Sequence, residues 1–348
     1  MGERLSCGGH TVREALKMAH RVLYYTLDGD TTAAQALLEQ MGMAGEIELV
    51  GCPHAVFEPP TAAQLAGCEG FIGEFAPVPA AVADMMAEAD VRIAASMSIG
   101  LNHMDVDALR AHNIAVANCP GYCAEDVATH TIALMLDLMR KVTFTNREVM
   151  VGGWDPKGGG YEAYRTQGRT LGLVFFGRIA RAVAPVARAL GMRVLVWAPT
   201  KTAEELAEAG CERAETLDEL LAVSDVVSLH CPLIPETEGL IGARELALMK
   251  STAYLINTAR GPVVDEDALV AALDENMASG GKRGIRAAGL DVLASETEPN
   301  RALIDHPRCL VTPHSAYDSV EANENLRRMS LESACDVLVR GVSPRYAV

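Results

Sequence analysis

Aromatic residues are scarce in this chain: Phe, Tyr and Trp make up 5% of its 348 residues, with only two tryptophans. The interior must therefore be built mainly from Ala, Val, Leu and Met, and 49% of the residues are hydrophobic. That share argues against a disordered or low-complexity polypeptide. Long apolar runs are missing as well. No window approaches the roughly eighteen apolar residues of a membrane span, and the opening stretch MGERLSCGGHTVREALKMAH lacks the apolar segment of a secretory leader. Positive charge is in deficit, with 30 Lys and Arg against 46 Asp and Glu, a formal net charge of −16. An acidic surface repels phosphate backbones and anionic headgroups, so neither nucleic acid nor membrane is an expected partner. A small anionic substrate would need a local positive site.

Cysteines at metal-binding spacing are also absent. The nine cysteines stand at 7, 52, 68, 119, 123, 211, 231, 309 and 335, with no C-x-x-C and no His-flanked zinc spacing. Cys119 and Cys123 are four apart but lack an evident second pair of ligands. No metal site is expected, and the scatter reads as reduced thiols in a cytoplasmic protein.

What the sequence does contain is a regular alternation. A length of 348 residues suggests two domains. In the first part, short apolar runs at Arg21–Thr26, Ile47–Val50, Gly70–Ile72, Val91–Ala95 and Ile114–Ala117 read as strands. Helical patterns lie between them at Thr32–Met41, Ala62–Ala66 and Pro79–Ala89. One long helix is predicted from Ala124 to about Met150, with Glu125 and Asp126 in its first turn, followed by a glycine-rich connection at Gly152–Gly160. From Thr170 the alternation resumes, with strands at Leu171–Phe176, Arg193–Trp197, Val226–His230, Ala253–Asn257, Ala287–Asp291 and Val311–Thr312. Helices are predicted between these strands, a local loop at Ser279–Arg286, and a last helix from about Ser319 to Val339. Strands separated by helices imply parallel sheets with right-handed crossovers, so the fold class is α/β, doubly wound, twice over.

The segment TLGLVFFGRIAR, Thr170–Arg181, sits where a dinucleotide-binding turn belongs, at the end of a strand and the start of a helix. Of the pattern G-x-G-x-x-G it keeps only the second glycine, Gly177; Phe175 takes the first position and Ala180 the third. Ala at the third position adds one methyl to a helix–strand contact. Phe at the first crowds the turn. Gly177, Arg178 and Ile179 still open a helix whose N–H groups can face a phosphate. The acid expected at the end of the next strand, to bind the adenosine ribose, is Ala198. Without it a 2′-phosphate is no longer repelled; Lys201 is near enough to pair with one, or is simply a solvated lysine in a turn.

The run AYLINTARGPVVD (Ala253–Asp265), then GLDV (Gly289–Val292), then VTPH (Val311–His314) resembles the D-isomer-specific 2-hydroxyacid dehydrogenase family. The likeness extends to Ser98-Ile99-Gly100 with Asp105, to NCPGYC at Asn118–Cys123, and to HCPL at His230–Leu233 with Thr237. These last runs are most similar to the branch of the C-terminal-binding proteins, corepressors on a dehydrogenase scaffold. The resemblance implies two Rossmann-like domains. A discontinuous substrate domain would comprise residues 1–118 plus 316–348, and a dinucleotide-binding domain residues 119–315, with the active site in the cleft between them.

It also implies a site. Arg260 would hold the substrate's carboxylate and carbonyl oxygen. His314 would exchange a proton with the carbonyl as hydride arrives, beside a carboxylate that steadies the imidazolium. By spacing, five residues beyond Asp291, that carboxylate is Glu296; a two-residue insertion would make it Glu298. The N–H groups of Ile99 and Gly100 would bind the substrate carboxylate, and Phe75 and Tyr317 match positions that shape the family's substrate pocket or equally pack a core. Asp291 would reach the nicotinamide, with Thr258, Ala259, Cys231, Pro232, Thr237, Gly177, Arg178, Ile179 and Ala198 around an NAD or NADP cofactor. His230, at a strand end, reads as structural. The chain departs from the family where D-N-x-D becomes Asn102-His103-Met104-Asp105 and a frequent Arg becomes Ser96, which leaves the identity of the acid open. The implied activity is hydride transfer between a nicotinamide cofactor and a small 2-keto acid or D-2-hydroxy acid, by a homodimer joined through the helix after Asn118. The competing reading is a dinucleotide-sensing, corepressor-like binding protein, or a degenerate member with little turnover.

Overall fold

A computed structural model describes residues 19–348; Cys7 and the reading of the opening stretch lie outside the described residues. The chain divides into two compact units, one running up to Tyr122 and resuming at Val320–Val348, the other Cys123–Ser319.

The first unit holds strands β1 (His20–Thr26), β2 (Ile47–Pro53), β3 (Gly70–Gly73), β4 (Ile93–Ser96) and β5 (Ala115–Ala117). They form one parallel sheet in the order β2-β1-β3-β4-β5, with Val22 paired to Leu49 on one side and Gly70 on the other. Successive side chains of β1 serve opposite faces, as the two-residue period of a strand requires. Val22 and Tyr24 pack with Leu37, Leu38 and, from the C-terminal helix Val320–Leu338, Leu326 and Leu331. Leu23 and Tyr25 pack on the other face with Leu65, Phe71, Val82 and Met86. The C-terminal helix thus belongs to the first sheet because its apolar stripe completes that core.

The second unit holds β6 (Thr170–Val174), β7 (Arg193–Trp197), β8 (Glu212–Arg213), β9 (Val226–Leu229), β10 (Tyr254–Asn257), β11 (Ala287–Leu290) and β12 (Cys309–Val311). These form a second parallel sheet, ordered β12-β11-β10-β9-β6-β7-β8. Both orders reverse direction beside the first strand of the sheet, the doubly wound pattern in which ligands sit beyond the carboxyl ends of the strands. The expected α/β architecture is the one observed. The Ser279–Arg286 segment is irregular, as expected.

One prediction is corrected. The helix that begins at Ala124 stops at Arg140, and a separate helix runs Val142–Met150. Between them Lys141 takes a left-handed conformation, φ 62°, and is buried. Its ammonium donates to the carbonyls of Lys157 and Gly158, while the Asp137 carboxylate caps the new helix by accepting from the N–H of Thr143 at 2.8 Å. The apolar period continues across the break, so periodicity alone reads one helix. The helix Val106–Ala111 was not foreseen; it is capped by Asp105, whose carboxylate accepts from the N–H of Ala108 at 2.9 Å.

Candidate active site

The carboxyl ends of β10, β11 and β12 bring the expected residues of the second unit together. β10 ends in Asn257, whose side-chain oxygen accepts from the N–H of Ala259 at 3.0 Å while its amide donates to the carbonyl of Arg260 at 2.8 Å. This fixes the turn Thr258-Ala259-Arg260 and presents Arg260 half-exposed, with one guanidinium N–H on the Ala259 carbonyl at 2.7 Å. Glycine must follow: a Cβ on Gly261 would lie 2.0 Å from the backbone of Leu293.

β11 leads into Asp291, which is 1% exposed. Its carboxylate accepts from the Thr312 hydroxyl at 2.6 Å and from the N–H groups of Ser315 and Ala316 at 2.9 and 3.0 Å. Its carbonyl accepts from the N–H of His314 at 2.7 Å. Asp291 therefore clasps the loop after β12, and His130 supports the clasp through the Thr312 hydroxyl at 3.0 Å. A charge with several donors is the form in which a buried carboxylate is tolerated. The clasp holds His314 at φ 52°, a left-handed backbone that a non-glycine residue adopts only when its surroundings impose it.

His314 Nδ1 lies 2.9 Å from Glu296 Oε1 and 3.0 Å from Oε2, so of the two candidate acids Glu296 is the one that faces the imidazole. His314 and Glu296 are each about a third exposed, and Nε2 makes no hydrogen bond among the described residues. The Tyr317 ring stands edge-on to the imidazole, 6.2 Å between centroids. An imidazole steadied at one nitrogen by a carboxylate and open at the other can hand a proton to a carbonyl oxygen and take it back. His230 differs. Burial lowers its pKa to about 4, so it stays neutral near pH 7, and its Nε2 is 3.0 Å from the Ser228 hydroxyl, in keeping with a structural role.

The residues expected around a dinucleotide sort into two groups. Gly177 opens the helix Arg178–Ala189 in extended conformation, and a Cβ there would meet nothing within 4 Å. Nothing inside the protein demands glycine at this point, so the open space and the helix N-terminus suit a phosphate approaching from outside. Arg178 is exposed beside it, Ile179 is half-buried, and Ala180 is fully buried in the core where the third glycine would pack. Phe175 keeps the tight turn despite its side chain, at φ 69°, with its ring edge-on to Trp197 at 5.7 Å. Ala198 is buried, and Lys201 is neither bare nor solvated alone but paired to Glu205 at 3.0 Å.

In the second group the polar side chains turn inward. The Thr237 hydroxyl donates to the Pro232 carbonyl at 2.6 Å and accepts from the N–H of Ile234 at 2.9 Å, locking the loop that follows buried Cys231. The Thr258 hydroxyl meets that of Thr131 at 2.9 Å. Asp291 is likewise engaged, so these three side chains tie down the loops they stand on. The residues present fit a dinucleotide at Gly177 and along the ends of β9 and β10.

In the first unit, the loop Ser98–Gly100 after β4 has all three carbonyls engaged. Ser98 O accepts from the N–H of Cys119 at 2.8 Å, Ile99 O from the Asn118 amide at 2.7 Å, and Gly100 O from the Ser98 hydroxyl at 2.7 Å. The N–H groups of Ile99 and Gly100 make no hydrogen bond among the described residues. Successive free N–H groups of this kind form an anion-binding concavity. Phe75 lies at φ 49° and faces Phe57, at φ 62°, edge-on at 6.3 Å. Neither Asn118 nor Asn257 was singled out as a site residue by sequence, although each ends an apolar strand in a polar residue; Phe57 carries no sequence signal.

A family model for the NAD-binding domain of D-isomer-specific 2-hydroxyacid dehydrogenases matches residues 132–316. A hydroxypyruvate reductase of Blautia hydrogenotrophica is 34% identical over 249 residues, which is 70% of this chain and 74% of that protein. A glyoxylate reductase of Thermococcus litoralis is 35% identical over 244 residues, 69% and 71% of the respective chains. The structure of D-lactate dehydrogenase from Escherichia coli superposes with a TM-score of 0.80 at 26% identity, covering 94% of this chain and 99% of that one. The chain belongs to the D-isomer-specific 2-hydroxyacid dehydrogenase family. It is an oxidoreductase that works with a nicotinamide cofactor on a small 2-keto or D-2-hydroxy acid. No helix among the described residues is long and apolar enough to cross a membrane, and they contain no cluster of metal-ligating side chains.

Proposed function

We propose that this protein reduces a small 2-keto acid of the glyoxylate or hydroxypyruvate class to the D-2-hydroxy acid, with Arg260, Glu296 and His314 as its catalytic residues. The observation that carries the reading is the His314–Glu296 pair, 2.9 Å apart with Nε2 open. Arg260 binds the carboxylate and carbonyl oxygen of the substrate as a planar, permanently charged fork. Its positive charge draws electron density toward the carbonyl oxygen. The nicotinamide, when bound, supplies the hydride that reaches the carbonyl carbon. His314 gives its Nε2 proton to the oxygen, and Glu296, on Nδ1, holds the ring so that Nε2 is aimed for this transfer.

The second unit takes the cofactor at Gly177, Arg178 and Ile179 and along Cys231, Pro232 and Ala259; the first supplies the N–H groups of Ile99 and Gly100 to the substrate carboxylate. Phe75 and Tyr317 bound the substrate. Ala198 leaves no carboxylate to claim the ribose hydroxyls, and Lys201 is already paired with Glu205, so NADH and NADPH both serve. A dinucleotide-sensing or degenerate protein is less favoured, since the similar proteins are reductases and the Arg, Glu and His are all present. The test is oxidation of each cofactor in the presence of glyoxylate, hydroxypyruvate and pyruvate. Oxidation of neither with any of the three sinks the proposal.

Phe175 gives a separate check. A left-handed non-glycine residue costs about 1–3 kcal/mol, and the edge-on contact with Trp197 returns about 0.5–1.5 kcal/mol. Phe175→Gly should therefore leave the melting temperature within a few degrees while opening the phosphate turn. NADH and NADPH should bind severalfold more tightly by fluorescence titration; weaker binding would mean that the ring itself holds the cofactor.

We also infer a homodimer in the cytoplasm. The helix Val142–Met150 and the loop after it expose Val142, Val149, Met150, Val151 and Trp154, the last two at 87%. Apolar exposure this concentrated marks a protein interface. Sedimentation returning a single chain's 37.0 kDa would refute the dimer. The thiols of Cys68, Cys119, Cys211, Cys231, Cys309 and Cys335 are buried and form no disulfide with one another, which supports the cytoplasmic reading.

A further inference from the structure

The loop Ser98–Gly100 is held from beneath by a chain of side chains at the positions where the sequence departs from its family. The Ser96 hydroxyl lies 2.8 Å from that of Ser98 and 3.1 Å from Nε2 of His103. Each serine hydroxyl has one proton. That of Ser98 goes to the Gly100 carbonyl at 2.7 Å, so Ser96 must donate to Ser98, and His103 must donate from Nε2 to Ser96. The hydrogen bonds run one way, from His103 through Ser96 and Ser98 to Gly100. Each reinforces the next in a site this dry, where Ser96 is 1% exposed.

The two peptide units that present the Ile99 and Gly100 N–H groups are polarised separately. The Ile99 N–H shares its peptide with Ser98 O, which accepts from Cys119. The Gly100 N–H shares its peptide with Ile99 O, which accepts from Asn118. Hydrogen bonding at a carbonyl makes the N–H of the same peptide a stronger donor. The segment around the loop brings no cation of its own: residues 93–109 contain no Lys or Arg, and Arg92, just before them, is directed to the Val337 carbonyl and Glu69.

We propose that His103, Ser96, Ser98 and Asn118 are positioning residues that set this loop as a neutral carboxylate receptor, replacing a charged side chain by oriented dipoles. The proposal rests on the reading that the loop takes the substrate carboxylate. It assigns a purpose to Ser96 and His103, which the general family pattern leaves unexplained. A receptor made of N–H groups recognises the flat carboxylate next to the carbonyl and contributes to binding in ground and transition states alike.

The experiment compares Asn118→Ala, His103→Ala, His103→Gln and Ser96→Ala with the unaltered enzyme, reading kcat, KM for the best keto acid, NADH affinity and melting temperature. The Ala variants should raise KM about tenfold, the effect of one lost hydrogen bond to a charged ligand, with kcat and NADH affinity within about twofold. His103→Gln, which keeps a donor at similar reach, should recover most of the lost KM. Arg260→Lys is measured alongside. If it raises KM and the four variants do not, the active-site reading stands and the positioning role is wrong. If neither moves KM, the site reading itself fails. A lower melting temperature with unchanged KM, or no recovery with Gln, would reduce the network to a structural tie and overturn the proposal.

Discussion

His314→Ala is expected to lower kcat by about 10³-fold while leaving NADH affinity within about twofold, which single-turnover kinetics and fluorescence titration would measure. The imidazole has a free nitrogen steadied at the opposite edge by a carboxylate, at 2.9 Å. Removing it takes away the proton that the developing alkoxide needs, and water would have to supply it without orientation. The proposed cofactor contacts lie elsewhere, at Gly177 and the ends of β9 and β10, so binding should survive. Alanine also suits the position structurally about as well as histidine: the loop is held by Asp291 through the backbone of residues 314–316 and the Thr312 hydroxyl, not through the ring. Glu296→Gln should cost less, about 10–10²-fold, because the amide oxygen can still accept from Nδ1 and hold the ring while the carboxylate's charge beside it is lost. Full turnover in His314→Ala would mean that another group donates the proton.

Arg260→Gln carries the second large effect, a loss on the order of 10³-fold in kcat/KM, falling on both parameters. A buried or half-buried guanidinium–carboxylate fork contributes charge-assisted hydrogen bonds that a neutral amide cannot replace. Part of the loss should appear in KM, through the carboxylate, and part in kcat, through the charge developing on the carbonyl oxygen. Lysine should restore some binding but little rate, since a point charge cannot grip two oxygens in one plane. The flanking geometry makes the change interpretable: Asn257 holds the turn through backbone atoms of Ala259 and Arg260, so the loop should persist whatever side chain stands at 260. An unchanged kcat/KM would remove Arg260 from the mechanism.

Much of this was legible in sequence, for identifiable reasons. Strand–helix alternation follows from hydrophobic period, and it located both sheets. Spacing from Asp291 favoured Glu296 over Glu298, and the distance to His314 agrees. What sequence could not show was direction. The resemblance places Asp291, Thr237 and Thr258 beside the cofactor; the structure adds that the Thr237 hydroxyl ties its own loop at Pro232 and Ile234, that Thr258 meets Thr131, and that Asp291 holds the backbone of Ser315 and Ala316. The break at Lys141 was hidden for a similar reason: it depends on carbonyls of residues 157 and 158, brought in by the tertiary fold. Phe175 shows the limit in another way. Its bulk suggested a disturbed turn, but the backbone keeps the glycine-like conformation and the ring finds Trp197.

The central claim is a proton from His314 delivered to the carbonyl oxygen of a keto acid whose carboxylate is held so that hydride reaches one face of its carbonyl carbon, and handedness tests it most directly. Hydroxypyruvate or pyruvate would be reduced with excess NADH or NADPH and the product resolved on a chiral column. The account predicts the D-2-hydroxy acid alone, formed at about a thousandth of the rate by His314→Ala. A racemic or L product, or a rate indifferent to His314, would contradict it.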